Sequence, residues 1–263
     1  MRYKTLFLLS LIAVSGLSAA IIIRVAPAGG ASNTLLTNIL YYWEFDETGD
    51  DWIEEVTGGS TYDLDSASGT IVSGTGIIGN GAHFDKADTA FLNSNSGSNV
   101  GTAISTSTYS VSFWVNLDNE TEDHEMLRLS DSFVSYDNTN DELDFGARAG
   151  LVASVTSAST YLTAGSFNHI VCTRSDVADS NQIWIDGVLR YSDTDTTDGS
   201  AVGVFLRVGR DNSVYMSGII DELGIWDEQL DGGSVSVGNS ATGDTDIDFL
   251  WNDGNALSHV DFD

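Results

Sequence analysis

The sequence predicts an all-β chain folded as a two-sheet antiparallel β-sandwich, preceded by an N-terminal hydrophobic segment. Three observations carry that prediction. From Leu40 onward apolar residues alternate with period two rather than 3.6, clusters of Gly, Asn, Asp and Ser interrupt the runs every ~8–15 residues, and no long helical stretch separates them. More than ten short strands without intervening helices favour two packed sheets over an α/β arrangement.

Taken in order, the chain starts with a basic Met1–Lys4 stretch and 19 uncharged residues from Thr5 to Ile23, with small residues at Ser18-Ala19-Ala20. This is the layout of a secretory signal, but it is longer than the usual apolar stretch of about 7–15 and near the ~20 of a membrane span. Residues 1–23 are therefore a signal peptide or a hydrophobic anchor or assembly segment. Residues 24–38, small and polar around the single Pro27, read as a linker. Residues 39–257 form the β domain, and residues 258–263 a C-terminal tail.

Within the domain Ile39–Phe45 opens the strand pattern. In Ser110–Leu117, Val111, Phe113, Val115 and Leu117 share one face and Trp114 takes the other. Asp186-Gly187 between two apolar runs predicts a tight hairpin, because Gly accepts positive φ. Further strands are expected at Gly81–Phe84, Met126–Leu129, Ser132–Tyr136, Leu143–Ala147, His169–Thr173, Val204–Val208 and Ile219–Trp226. Asp137–Glu142 reads as a solvated hairpin tip, and only the stretch from Asp244 to Trp251 invites a short helical turn.

Composition excludes several classes. With 39 Asp and Glu against 10 Lys and Arg, the net charge of −29 repels a phosphate backbone, so nucleic acid is not a partner. Two lysines, Lys4 and Lys86, among so many aspartates suit a protein living in salty water. The single Cys172 forms no internal disulfide, and no Cys/His cluster has zinc spacing.

Seven pieces then fall in a shared order: Tyr42–Glu47, Gly76–Asp85, Tyr109–Val115, Phe167–Val171, Ile185–Val188, Arg207–Arg210 and Ser217–Trp226. Together they resemble the laminin-G-like jellyroll domains of the concanavalin A-like lectin/glucanase superfamily, over roughly Leu40 to Leu257. Phe167 stands where that family usually has Trp. The resemblance implies a β-sandwich for carbohydrate recognition, adhesion or protein contacts on a cell or particle surface, often with a structural calcium ion. It fixes no ligand.

Glycan hydrolases of the superfamily carry two carboxylates on one strand face, about 5–5.5 Å apart when retaining. Glu44-Phe45-Asp46 begins such a pattern, but Thr48 stands where a second Glu is needed; Glu142-Leu143-Asp144 fails in the same way at Gly146. No Gly-x-Ser-x-Gly elbow accompanies His83, His124, His169 or His259, and His169 reads as a hydrogen-bonded scaffold residue. No catalytic residue is assigned.

For calcium the candidate ligands are Asp46 and Asp221, each ending or interrupting an apolar strand where an unsatisfied carboxylate is costly. Backbone N–H groups are the alternative partners. For a sugar or protein surface the candidates are Trp52, in an acidic loop-like setting, and Trp114 and Trp184, opposite their apolar neighbours. The competing reading of Trp114 and Trp184 is burial under a second layer. The expectation is a secreted or surface-displayed, non-enzymatic binding or adhesion module recognising glycan or protein. The alternative is a structural subunit of an extracellular assembly, with membrane or assembly contact through residues 5–23 and self-association into a homo-oligomer. A glycoside hydrolase comes last.

Overall fold

In the computed structural model the chain divides into two compact units, residues 1–32 and 33–263. The structure describes residues 35, 38–48, 51–56, 62–94, 100, 108–129, 132–147, 152–175, 178, 180–194, 205–211, 213–230, 246–251 and 254–256, all in the second unit. The expected segment 1–23, most of the linker and the tail 258–263 lie outside the described residues. Leu35, assigned to the linker, is buried, and its carbonyl accepts from Trp226 Nε1 at 3.0 Å.

The fold is all-β, with two eight-stranded antiparallel sheets. In the first, β14 (Val188–Thr194), β13 (Ser180–Ile185), β12 (Asn168–Ser175), β7 (Tyr109–Leu117), β18 (Gly218–Trp226), β5 (Asn80–Phe84) and β4 (Val72–Thr75) lie side by side. β1 (Ile39–Trp43) also pairs with β18. The second runs β11 (Val152–Thr156), β10 (Glu142–Ala147), β9 (Ser132–Asp137), β8 (His124–Leu129), β15 (Leu206–Val208), β6 (Phe91–Ser94), β3 (Leu64–Ser68) and β2 (Asp51–Trp52). A small ribbon pairs β16 (Arg210–Asp211) with β17 (Val214–Tyr215).

Alternation decides what each sheet gives to the core. Val111, Phe113, Val115 and Leu117 of β7, Ile170 and Cys172 of β12 and Ile183 and Ile185 of β13 meet Leu127 and Leu129 of β8, Val134 and Tyr136 of β9, Leu143 and Phe145 of β10 and Leu206 and Val208 of β15. These two inner faces form the main core of a sandwich. The hairpin at Asp186-Gly187 holds: both residues have positive φ, 52° and 70°, and Ile185 pairs with Val188. Asp186 ties the turn to β12, its carboxylate accepting from the His169 N–H at 2.9 Å and from Asn168 Nδ2 at 3.0 Å.

The outward face of the first sheet is not bare. Tyr42, Val171, Trp184 and Trp226 point away from the main core into a second one, closed by Leu35, Ile39, Leu230, Ile247 and Leu250. Ile247 and Leu250 belong to a short helix, α1 (Asp246–Trp251), at the expected helical turn. The outward face of the second sheet carries mainly charged, amide and hydroxyl side chains instead, many of them partly exposed, namely Asp65, Asn93, Arg207, Arg128, Ser135, Asp144 and Ser154, with Phe133 and Val152 among them.

Candidate functional site

The expected aromatic contacts are inside the protein. Trp52 does not form an exposed contact: it is fully buried in the two-residue β2, edge-on to Phe45 at 5.6 Å. Its acidic neighbours suggested solvent, but one large ring suffices to close the end of a sheet. Trp114 and Trp184 do point opposite their apolar neighbours, and both are buried there too. Trp114 stacks on Trp251 of α1 at 5.3 Å and lies 4.9 Å from the His169 ring. Trp184, 2 % exposed, joins the second core. The covering layer is thus the alternative the sequence left open for both rings, and none of the three tryptophans presents a face to a ligand in this structure.

His169 holds the scaffold position expected for it. Ser112 Oγ and His169 Nε2 are 2.7 Å apart, and burial lowers the imidazole to about 3, so it stays neutral. Both residues of this Ser–His pair are buried, with the His169 ring against those of Trp114 and Trp251.

Asp46 and Asp221 converge on one turn. Asp221, fully buried on β18, accepts from the N–H groups of Ile77 (2.8 Å), Ile78 (3.3 Å) and Glu222 (3.0 Å). Asp46 accepts from the Asn80 N–H at 2.6 Å, and its carbonyl takes Asn80 Nδ2 at 2.9 Å. The glycines of Gly76–Gly81 make this approach possible. A side chain would put Cβ 2.4 Å from Asp221 Oδ2 at Gly76, or 2.1 Å from Asp46 Oδ1 at Gly79. Burial raises Asp221 to about 8 despite the three N–H donors, and Glu222 beside it to about 9. Glu222, at a φ of 51° within the β18 irregularity, accepts from the Tyr42 hydroxyl at 2.7 Å. The backbone partners considered for both aspartates are present. The carboxylates and nearby carbonyls are also hard oxygens of the kind calcium takes, although no group of three His, Cys, Asp or Glu side chains suited to a metal occurs among the described residues.

Neither carboxylate pair assembles a hydrolytic strand. β1 ends at Trp43 and Phe45 is left-handed at φ 59°, so Glu44 and Asp46 do not share a strand face. Glu142 and Asp144 do share the outward face of β10, but position 146 lies under the Phe133 ring, where even a Cβ would come within 1.9 Å of Phe133 Cε1. Asp144 instead accepts from Ser154 Oγ at 2.6 Å.

Sequence reasoning missed a polar cluster on the same outward face. Arg207 of β15 lies opposite Asn93 of β6 and Arg128 of β8. Arg128 pairs with Asp211 at 3.1 Å and lies 5.6 Å from the centre of the Phe133 ring, while the Arg207 guanidinium lies 4.6 Å from the Phe205 ring centre. Glu125, on the same face one bulge earlier, is raised to about 8 by burial and by Asp211. The signal was available, since Arg128 and Arg207 each sit between apolar neighbours; which outward face stays open was not.

Solved structures share the fold. Domain 4 of AbnA, a GH43 extracellular arabinanase from Geobacillus stearothermophilus in complex with arabinotriose, aligns at TM-score 0.58 and 18 % identity, over 74 % of this chain and 95 % of that one. The binding domain of botulinum neurotoxin DC aligns in complex with rat synaptotagmin II at TM-score 0.58 and 12 % identity over 83 % of this chain, and in complex with SialylT at TM-score 0.57 and 13 % identity over 82 %. The chain spans about half the length of those toxin domains, 52 % and 51 %. No curated protein matches it in sequence. The laminin G model of the concanavalin A-like lectin/glucanases superfamily matches residues 86–236, more than half of the 263-residue chain, and the protein therefore belongs to that superfamily.

Proposed function

We propose that this chain is a secreted or surface-displayed β-sandwich that recognises glycan or protein and performs no chemistry on it. The observation that carries this reading is the division of labour between the two outward faces. One is covered in part, by the second apolar core that holds Trp184 and by Trp251 of α1 stacked on Trp114; the other stays largely polar and partly open, with the place a second catalytic carboxylate would need filled by Phe133. Neighbours of this fold have been solved with arabinotriose, SialylT and synaptotagmin II, which supports recognition of either class of partner. The uncharged stretch 5–23 favours a second reading, a subunit held in an extracellular assembly by that segment. Calcium held by Asp46 and Asp221 would neutralise both carboxylates and fix the Gly76–Asn80 turn.

The test of the non-enzymatic reading is incubation with arabinan, galactan and dextran. No reducing ends are expected above the buffer rate. Sustained release that disappears in Glu142→Gln or Glu44→Gln overturns the reading.

A further inference from the structure

Of all the asparagines in the chain only Asn119 is followed two residues later by Ser or Thr, in Asn119-Glu120-Thr121, and the residue between is not Pro. That triplet is the acceptor pattern for an N-linked glycan, and it has meaning only on a surface loop of an exported protein. The structure supplies the loop. Residues 118–123 connect β7 of the first sheet to β8 of the second, so they cross one end of the sandwich rather than lying on either outward face. Asp118, Thr121, Glu122 and Asp123 are exposed, and Asn119 is partly exposed among them.

The turn also decides which way the Asn119 amide faces. Its Oδ1 accepts from the Thr121 N–H at 3.1 Å and from the Thr121 hydroxyl at 3.0 Å. A backbone N–H only donates, so the atom turned inward is the oxygen. Nδ2, on the other side of the same carbon, is directed away from the turn and makes no hydrogen bond among the described residues. The backbone of the triplet is anchored from beneath instead. Buried His124 accepts the Ser217 N–H on Nδ1 at 3.2 Å, so its proton is on Nε2, which donates to the Asn119 carbonyl at 2.8 Å. The Tyr136 hydroxyl donates to the Glu120 carbonyl at 3.2 Å. Every inward atom thus serves the scaffold and Nδ2 does not, so a substituent on Nδ2 breaks no bond of the fold.

We propose that Asn119 is a modification site whose Nδ2 carries an N-linked oligosaccharide. The donor class is a lipid-pyrophosphate-linked oligosaccharide: the bond from Nδ2 to the anomeric carbon forms as the bond from that carbon to the pyrophosphate oxygen breaks. The electron pair leaves with the lipid pyrophosphate, and Nδ2 gives up one proton. The proposal rests on the export part of the reading above, since such transfer acts on exported chains, and it is independent of what the domain recognises.

Mass spectrometry of the full chain recovered from its native source tests it. Trypsin releases residues 87–128 as one peptide, because no Lys or Arg lies between Lys86 and Arg128. The mass of an oligosaccharide is expected on that peptide, located to Asn119 by fragmentation, lost in Asn119→Gln and in Thr121→Val, and retained in Thr121→Ser. Carbohydrate that persists on the peptide in Asn119→Gln, or that fragmentation locates to a serine or threonine, overturns the site. An unmodified peptide from protein recovered outside the cell membrane overturns the proposal and leaves export standing. An unmodified peptide from protein found only in the cytoplasm overturns the proposal and export together.

Discussion

Single residues show where composition misleads. Trp52 has Asp50, Asp51, Glu54 and Glu55 around it in sequence, yet its ring is fully buried edge-on to Phe45. Trp52→Ala should therefore act through the core, costing about 3–5 kcal/mol in urea unfolding. A cost below ~1 kcal/mol would place the ring at the surface after all. Trp114 teaches the complementary lesson. Period-two alternation correctly separated it from Val111, Phe113 and Val115, because that pattern is local. What covers it is Trp251, 137 positions later in the chain, and no spacing rule connects the two. Arg207 and Asn93 were hidden for the same reason: each alternates in its own strand, while their meeting depends on which strands pair across the sheet.

At the scale of elements, the long strands and the Asp186-Gly187 hairpin were legible, since β-branched and aromatic alternation runs through β7, β12, β13 and β18. The short β2, β16 and β17 were not, having two residues each and no period to show, and neither were β3, β4, β6 and β11, of four or five residues each. The irregularity in β18 was equally silent, and it places two carboxyl groups, Asp221 and Glu222, in the interior. Burial raises both, to about 8 and about 9, so the folded state holds protons that the unfolded chain releases near pH 4. Their contribution is fully present at low pH and is lost as pH rises toward 9. In EDTA the melting temperature should fall between pH 5 and pH 9 through this pair and through Glu125, also raised to about 8, and Glu222→Gln, which keeps an acceptor for the Tyr42 hydroxyl, should lessen that fall. A slope identical to wild type would remove Glu222 from the linkage. Calcium bound by Asp46 and Asp221 would oppose the loss, so adding it at pH 9 should raise the wild-type melting temperature but not that of Asp221→Asn. An unresponsive wild type rejects the metal.

Over the whole molecule, a charge of −29 on 263 residues acts against the compact state, because folding concentrates carboxylates that the unfolded chain spreads apart. Few cations offset them locally: among the described residues Lys86 pairs with Glu122 and Arg128 with Asp211, while Arg190, Arg207 and Arg210 lie over aromatic rings. Stability consequently rests on the two apolar cores, which salt does not weaken, and is opposed by a repulsion that salt does screen. Raising ionic strength from 0.01 M to 1 M shortens the screening length from about 30 Å to about 3 Å, less than the separation of most surface carboxylates. The melting temperature in EDTA should therefore rise by several degrees between 0.01 M and 1 M NaCl, and by a similar amount in KCl, since the effect is one of screening rather than of a particular ion. A melting temperature that stays flat or falls over this range would mean that the acidic surface does not oppose folding.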